Sequence, residues 1–181
     1  MKKMALVFVL VISFFLILSP ASAETAGPAP GKRPLGQDLA LQVSDGDRCP
    51  VCAMKVANHP KFASAIQLEN GDTFYFCGTG CMIRTWMHPE VFLGVEKRSL
   101  KRPVAQAYFT GRPIDARQAI WVAGSDVMGP MGPALVPLET QKELEAFRAR
   151  HGGTTIFRLS EMTDEKWKTI TGKSAAPKKT P

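Results

Sequence analysis

The sequence predicts an α+β fold, two small ββα-type units packed as one compact domain over residues 44–165. Three observations predict it. Runs rich in aromatic and β-branched residues, such as "TFYFC" at 73–77 and "QAIWVA" at 118–123, alternate with turn residues. Helix starts are signposted by "GTGC" at 78–81 and by the capping box "TQKE" at 140–143. The halves also rhyme weakly: "AIQLENGD" leads through a hairpin and a loop to a helix and His88. "AIWVAGSD" leads through a strand, a glycine-rich loop and another strand to a helix and His151. The divide between the units is placed near residue 100, giving 44–100 and 101–165. With 181 residues, 45% of them apolar, the chain can bury an ordinary core.

The first residues stand apart. Lys2 and Lys3 precede an apolar run from Met4 to Leu18, and Ala21 and Ala23 supply small residues before a cut. Residues 1–23 therefore read as a secretory signal peptide and place the protein in the periplasm or otherwise outside the cytoplasm. The run is short for a bilayer span, which takes ~20 residues; an uncleaved anchor is the alternative. No cysteine follows it to invite lipidation. Residues 24–43, beginning "ETAGPAPGKRPLG", read as a linker, with order starting near Val43.

Within the domain, 63–68 and 73–77 form a hairpin about the turn "ENGD". Thr79 caps a helix over 80–87 that puts Met82, Ile83, Trp86 and Met87 largely on one side. Pro89 opens a short turn. Strands follow at 104–110 and 118–123, separated by the turn 111–113. "GSDVMGPMGP" is a loop punctuated by Gly and Pro, and 134–138 is a short strand. The helix opened at Thr140 turns Leu144 and Phe147 to the core; Arg148, Arg150 and His151 crowd its last turn, and Gly152-Gly153 stops it. A strand over 154–159 precedes a helix capped by Ser160, containing Trp167 and ending at Gly172. Residues 166–181 are this helix end and a disordered basic tail.

Net charge is +7, but it is spread out and partly held in the signal and tail lysines, which disfavours nucleic acid as a partner. Weak attraction to an acidic membrane surface or acidic partner is compatible with it. There is no triad, no catalytic carboxylate pair and no phosphate-cradling loop, so the chain does not read as an enzyme.

Its chemistry lies in sulfur. Cys49 and Cys52 form a C-x-x-C and, after 24 residues, Cys77 and Cys81 form a C-x-x-x-C. The spacing is close to that of a four-cysteine zinc site. Thiolates suit copper(I) equally, and an exported chain can instead pair its cysteines as disulfides. Cys81, near a helix N-terminus, is expected to have a lowered pKa. Met54 favours copper(I), since a thioether is a poor zinc ligand, although a core-filling role explains a lone Met as well. Met128 and Met131 lie in a loop without periodicity. His151, at a helix C-terminus, can serve as cap and ligand both. A loop Met, this His and a thiolate would make a three-coordinate soft site. His59 and His88 each precede a proline and read as solvated or capping residues.

Taken together, "CPVCAMKV", "HPKFASAIQLENGDTFYF" and "AIWVAGSDVMGPMGPALVPLETQKELEAFRARHGG" resemble the NosL family of nitrous oxide reductase accessory proteins, over roughly residues 44–165. The resemblance implies an exported copper(I) chaperone of two ββα units that delivers copper to a recipient enzyme or its membrane assembly factors. It carries Met131 and His151 over as copper ligands, with a cysteine of the 49/52 pair as a third. Three departures stand out. Many relatives are lipoproteins, and the lipobox cysteine is missing here. The family's Cys-Gly-Met reads Cys52-Ala53-Met54. "YFCGTGCM" adds Cys77 and Cys81 in the manner of the TRASH or YHS metal-binding knuckles, implying a second, cysteine-rich site. A structural zinc module for protein interaction and a thiol–disulfide redox protein are the competing readings.

Overall fold

The computed structural model describes residues 32–177; the signal-peptide reading of 1–23 lies outside them. In chain order the elements are β1 (Ser64–Leu68), β2 (Thr73–Phe76), α1 (Thr79–Met87), α2 (Pro89–Phe92), β3 (Leu100–Gln106), β4 (Pro113–Asp115) and β5 (Ile120–Ser125). Then follow β6 (Met128–Gly129), β7 (Gly132–Pro133), β8 (Val136–Leu138), α3 (Gln141–His151), β9 (Gly152–Phe157) and α4 (Asp164–Thr171). All strand pairs are antiparallel. One sheet has the order β2-β1-β3-β4 with α1 packed on it; the other has the order β8-β5-β9 with α3 packed on it. The α+β class with two ββα units is thus what the chain adopts, each unit extended by further strands.

Strand β5 joins the units. Trp121 and Ala123 belong to the main core with Ile66, Tyr75, Phe76, Met82, Ile83 and Val104, while Ile120 and Val122 point to α3 and meet Leu144 and Phe147. A strand covered on both faces needs apolar residues at consecutive positions, which is why "AIWVA" lacks alternation.

Several expectations are corrected. The strand placed at 104–110 is β3 at Leu100–Gln106, and with the unpredicted β4 it completes the first sheet. The divide between the sheets therefore falls after Asp115 rather than near residue 100. Pro103 disguised β3. Its carbonyl faces β4, accepting from Ala116 N–H, so its missing donor falls where that short strand ends. Residues 107–111 turn instead, closed by Gly111 N–H donating to Ala107 O.

The loop "GSDVMGPMGP" contains a tight hairpin, β6–β7, with Pro130 and Met131 at its tip. Helix α4 is capped by Thr163, whose hydroxyl accepts from Lys166 N–H, with Asp164 and Glu165 in the first turn; Ser160 lies in a preceding 3₁₀ turn. Thr140 caps α3 as expected, but Glu143 reaches back to the N–H of Glu139 rather than that of Thr140.

The ends of the domain are tied down further than predicted. Arg33 pairs with the buried Asp47 and lies over the Tyr75 ring, and the Tyr75 hydroxyl lies 3.0 and 2.9 Å from the carbonyls of Arg33 and Pro34. Leu35, Leu39, Leu41 and Val43 pack against the core. At the other end Ala175 is buried and its carbonyl accepts from Arg84. None of the described helices is long and apolar enough to cross a membrane.

Candidate metal centre

Residues 48–55 fold into a knuckle closed by the Arg48–Lys55 bridge. Cys49 N–H donates to Met54 O at 2.9 Å, and Ala53 N–H donates to Cys49 O at 2.8 Å. Ala53 takes a φ of 59°, in the left-handed region where glycine is at ease. The turn brings Cys49 and Cys52 together. Cys77 follows the last residue of β2, and Cys81 sits in the first turn of α1. Thr79, expected as the cap of α1, is its first residue, and its hydroxyl donates to Leu135 O at 2.6 Å, tying the helix start to the segment before β8.

These elements bring all four cysteine sulfurs within 4.8 Å of one another. Cys52 and Cys77 are 3.4 Å apart and Cys77 and Cys81 are 3.9 Å apart. The four are free thiols. A tetrahedral ion held at ~2.3 Å from each sulfur calls for edges of ~3.8 Å, and a trigonal one for ~4.0 Å. The cluster fits either with small adjustments. Cys49, Cys77 and Cys81 are buried, and Cys52 is partly exposed and forms the solvent edge.

Packed together as free thiols, the four share their protons unequally. Cys49 is held well below the ordinary thiol range by hydrogen bonds from Cys77 and then Cys81, which outweigh its burial. Cys77 and Cys81 are pushed up, first because each would lose its bond to the Cys49 sulfur on ionising. The expected lowering at Cys81 is therefore reversed: neighbouring sulfur and burial outweigh the helix N-terminus, and the ready thiolate is Cys49. No thioredoxin-like βαβ setting surrounds it, since the knuckle lies between the N-terminal segment and β1.

The remaining candidates are placed differently. Met54 is partly buried and packs against the core. Met128 and Met131 are 62% and 52% exposed. Met131, at the hairpin tip, lines a cavity of about 340 Å³ together with Cys81. His151 stands at the foot of the same loop, where its carbonyl accepts from Asp126 N–H. Its Nδ1 is 2.9 Å from Asp126 Oδ1, and its Nε2 is 3.2 Å from the Tyr108 hydroxyl. The residues gathered into one site are thus the four cysteines. Met131 shares a cavity with Cys81, and His151 is not among its lining residues. Asp126 and Tyr108 were missed by sequence reasoning; Asp126, two residues before Met128, carried the only local signal. His88 caps α1 with Nε2 2.6 Å from Asp164 Oδ1, and His59 closes the 3₁₀ turn Val56–Asn58.

Fold and cluster define a small α+β domain with a thiol-rich metal-binding centre. The NosL family's sequence model matches residues 40–167, and the chain belongs to that family. It is 30% identical over 121 residues to the copper-binding lipoprotein NosL of Stutzerimonas stutzeri, an alignment spanning 65% of this chain and 63% of that relative's length. The crystal structure of the copper chaperone NosL from Shewanella denitrificans superposes with a TM-score of 0.60 at 22% identity, over 72% of this chain and 99% of that one, a likeness of fold.

Proposed function

We propose that the protein is an exported copper(I) chaperone. It holds a cuprous ion on sulfur and hands it on, by ligand exchange and without turnover, to a copper enzyme outside the cytoplasm or to that enzyme's membrane assembly factors. Nitrous oxide reductase is the client the family suggests. The observation that carries this reading is the convergence of four free cysteine sulfurs in a chain of the NosL family. Thiolate and thioether donors suit a soft monovalent ion. Residues 44–165 form the metal-binding domain. Cys49, Cys52, Cys77 and Cys81 hold the first ion. Met54, within the knuckle, is a further soft donor, and Met131 and His151 are the donors for a second and weaker ion. Asp126 on Nδ1 would then orient the His151 ring, as carboxylates commonly do for ligating histidines.

A second reading has a specific observation behind it. Sulfur separations of 3.4 and 3.9 Å bracket the tetrahedral edge, and three of the four cysteines are buried, as in a closed structural zinc site. The two readings separate in an anaerobic titration of the reduced chain from residue 24 with copper(I) against zinc. The chaperone reading expects copper(I) to displace zinc, the tight equivalent to lose most of its affinity in Cys77→Ser with Cys81→Ser, and the weaker one to vanish in Met131→Ala with His151→Ala. Zinc that resists copper(I), and whose removal unfolds the domain, would establish the structural reading instead.

A further inference from the structure

The β6–β7 hairpin does not hang free. A Cβ built on Gly78, at the N-cap of α1, would lie 3.4 Å from Pro130 Cδ, so the hairpin tip is seated on the helix start that carries Cys81. The bond from Thr79 to Leu135 O pins the returning strand to the same place. Beneath the hairpin lie two cavities, of about 30 and about 340 Å³, and Gly80, Cys81 and Met131 line both. Of these residues Cys81 is 2% exposed and Met131 52% exposed. Leu135, Ala134 and Trp167 give the larger cavity apolar walls. Arg84, one helical turn beyond Cys81, and Lys173 line it too. Such walls resist a bare cation twice over, by desolvation and by like charge. An ion crossing them must stay bonded to a donor throughout.

We propose that Met131 is a relay ligand, taking copper(I) at the surface and passing it through this cavity to Cys81, and returning it to an acceptor by the same route. The proposal rests on the chaperone reading and deepens it. In the inward step the Cu–Sγ bond to Cys81 forms as the Cu–Sδ bond to Met131 breaks. The Cys81 proton leaves to solvent, and copper stays monovalent, so no electron moves. A neutral thioether binds copper(I) more weakly than a thiolate does, so the ion rests on the cluster and visits Met131 only in transit.

The test is stopped-flow transfer of one equivalent of copper(I), under anaerobic conditions, from the reduced chain to bathocuproine disulfonate. The wild type is compared with Met131→Leu, which removes sulfur but keeps bulk at a half-exposed turn. It is also compared with Gly80→Leu, which reaches into the passage from a position where a Cβ meets nothing nearer than the Trp167 ring at 3.7 Å. Both variants should slow transfer ~10-fold or more, a barrier ~1.4 kcal/mol higher, and in Gly80→Leu the equilibrium affinity for that equivalent should hold within ~2-fold. Transfer at the wild-type rate by Met131→Leu, or a loss of affinity in Gly80→Leu that matches its rate change, overturns the relay while leaving the chaperone reading intact. A wild-type chain that takes up no copper(I) overturns both.

Discussion

Loading of the cluster should release protons in a number set by how its thiols share them. Hydrogen bonds from Cys77 and Cys81 already favour the thiolate at Cys49, so near neutral pH that residue has no proton to give. Cys77 and Cys81 are pushed above the ordinary thiol value of ~8.5 and must each give one up. Protons compete with the ion for these sulfurs, so affinity rises with pH by at least two log units per pH unit. Between pH 6 and 7 that is at least ~100-fold, or ~2.7 kcal/mol. Competition against a chelator of known pH dependence gives the slope, and a pH indicator in weak buffer gives the proton count directly.

The serine double variant sharpens the measurement. Cys77→Ser with Cys81→Ser removes two protons from the count. It also removes the thiols that lower Cys49, which returns towards the ordinary range and contributes one proton of its own. The slope should therefore fall by about one rather than two, alongside a large loss of affinity. A wild-type slope of one or less, or a slope unchanged in the variant, would refute the shared-proton account of the cluster.

Two further outcomes concern the scaffold. Gly153 has a φ of +122°, and a Cβ there would lie 2.4 Å from Val122 Cγ1 in the core. Gly153→Ala should cost at least ~2 kcal/mol and lower the melting temperature by ~5 °C or more in a thermal scan. A chain begun at residue 44 loses the partners of the Tyr75 hydroxyl and the Arg33 cation beside buried Asp47. Against a chain begun at residue 24 it should be ~3 kcal/mol less stable by urea denaturation.

What the sequence made legible was local. "ENGD" announced the β1–β2 turn, "TQKE" announced the start of α3, and the doubled glycine its end, because each of these is decided by a few adjacent backbone groups. The knuckle was legible for the same reason. β3 was not, because a proline inside a run speaks against a strand unless one knows that its missing donor falls beyond the end of β4. β6 and β7, at two residues each, are too short to carry a period. Tyr75 reaching Arg33 and Pro34, and Met131 sharing a cavity with Cys81 and not with His151, are meetings across some forty or fifty residues. No local pattern encodes these. The direction of the Cys81 shift failed likewise: its helix position is local, and the sulfur that reverses the shift comes from the knuckle.

On the proposed reading, holding an ion and giving it away make opposite demands, and they fall to parts of different burial. The cysteines come from the knuckle, the end of β2 and the first turn of α1, three of them sealed in the core, where a bound ion would exchange slowly with solvent. The candidate methionine donors outside the core, Met128 and Met131, stand on a hairpin of two-residue strands and are more than half exposed. Pro130 against Gly78 fixes where that hairpin sits without burying its sulfurs. On the proposed reading, equilibrium affinity belongs to the cysteines and exchange rate to the methionine. Substitutions in the two groups should therefore move different observables, a separation that a closed zinc scaffold has no reason to show.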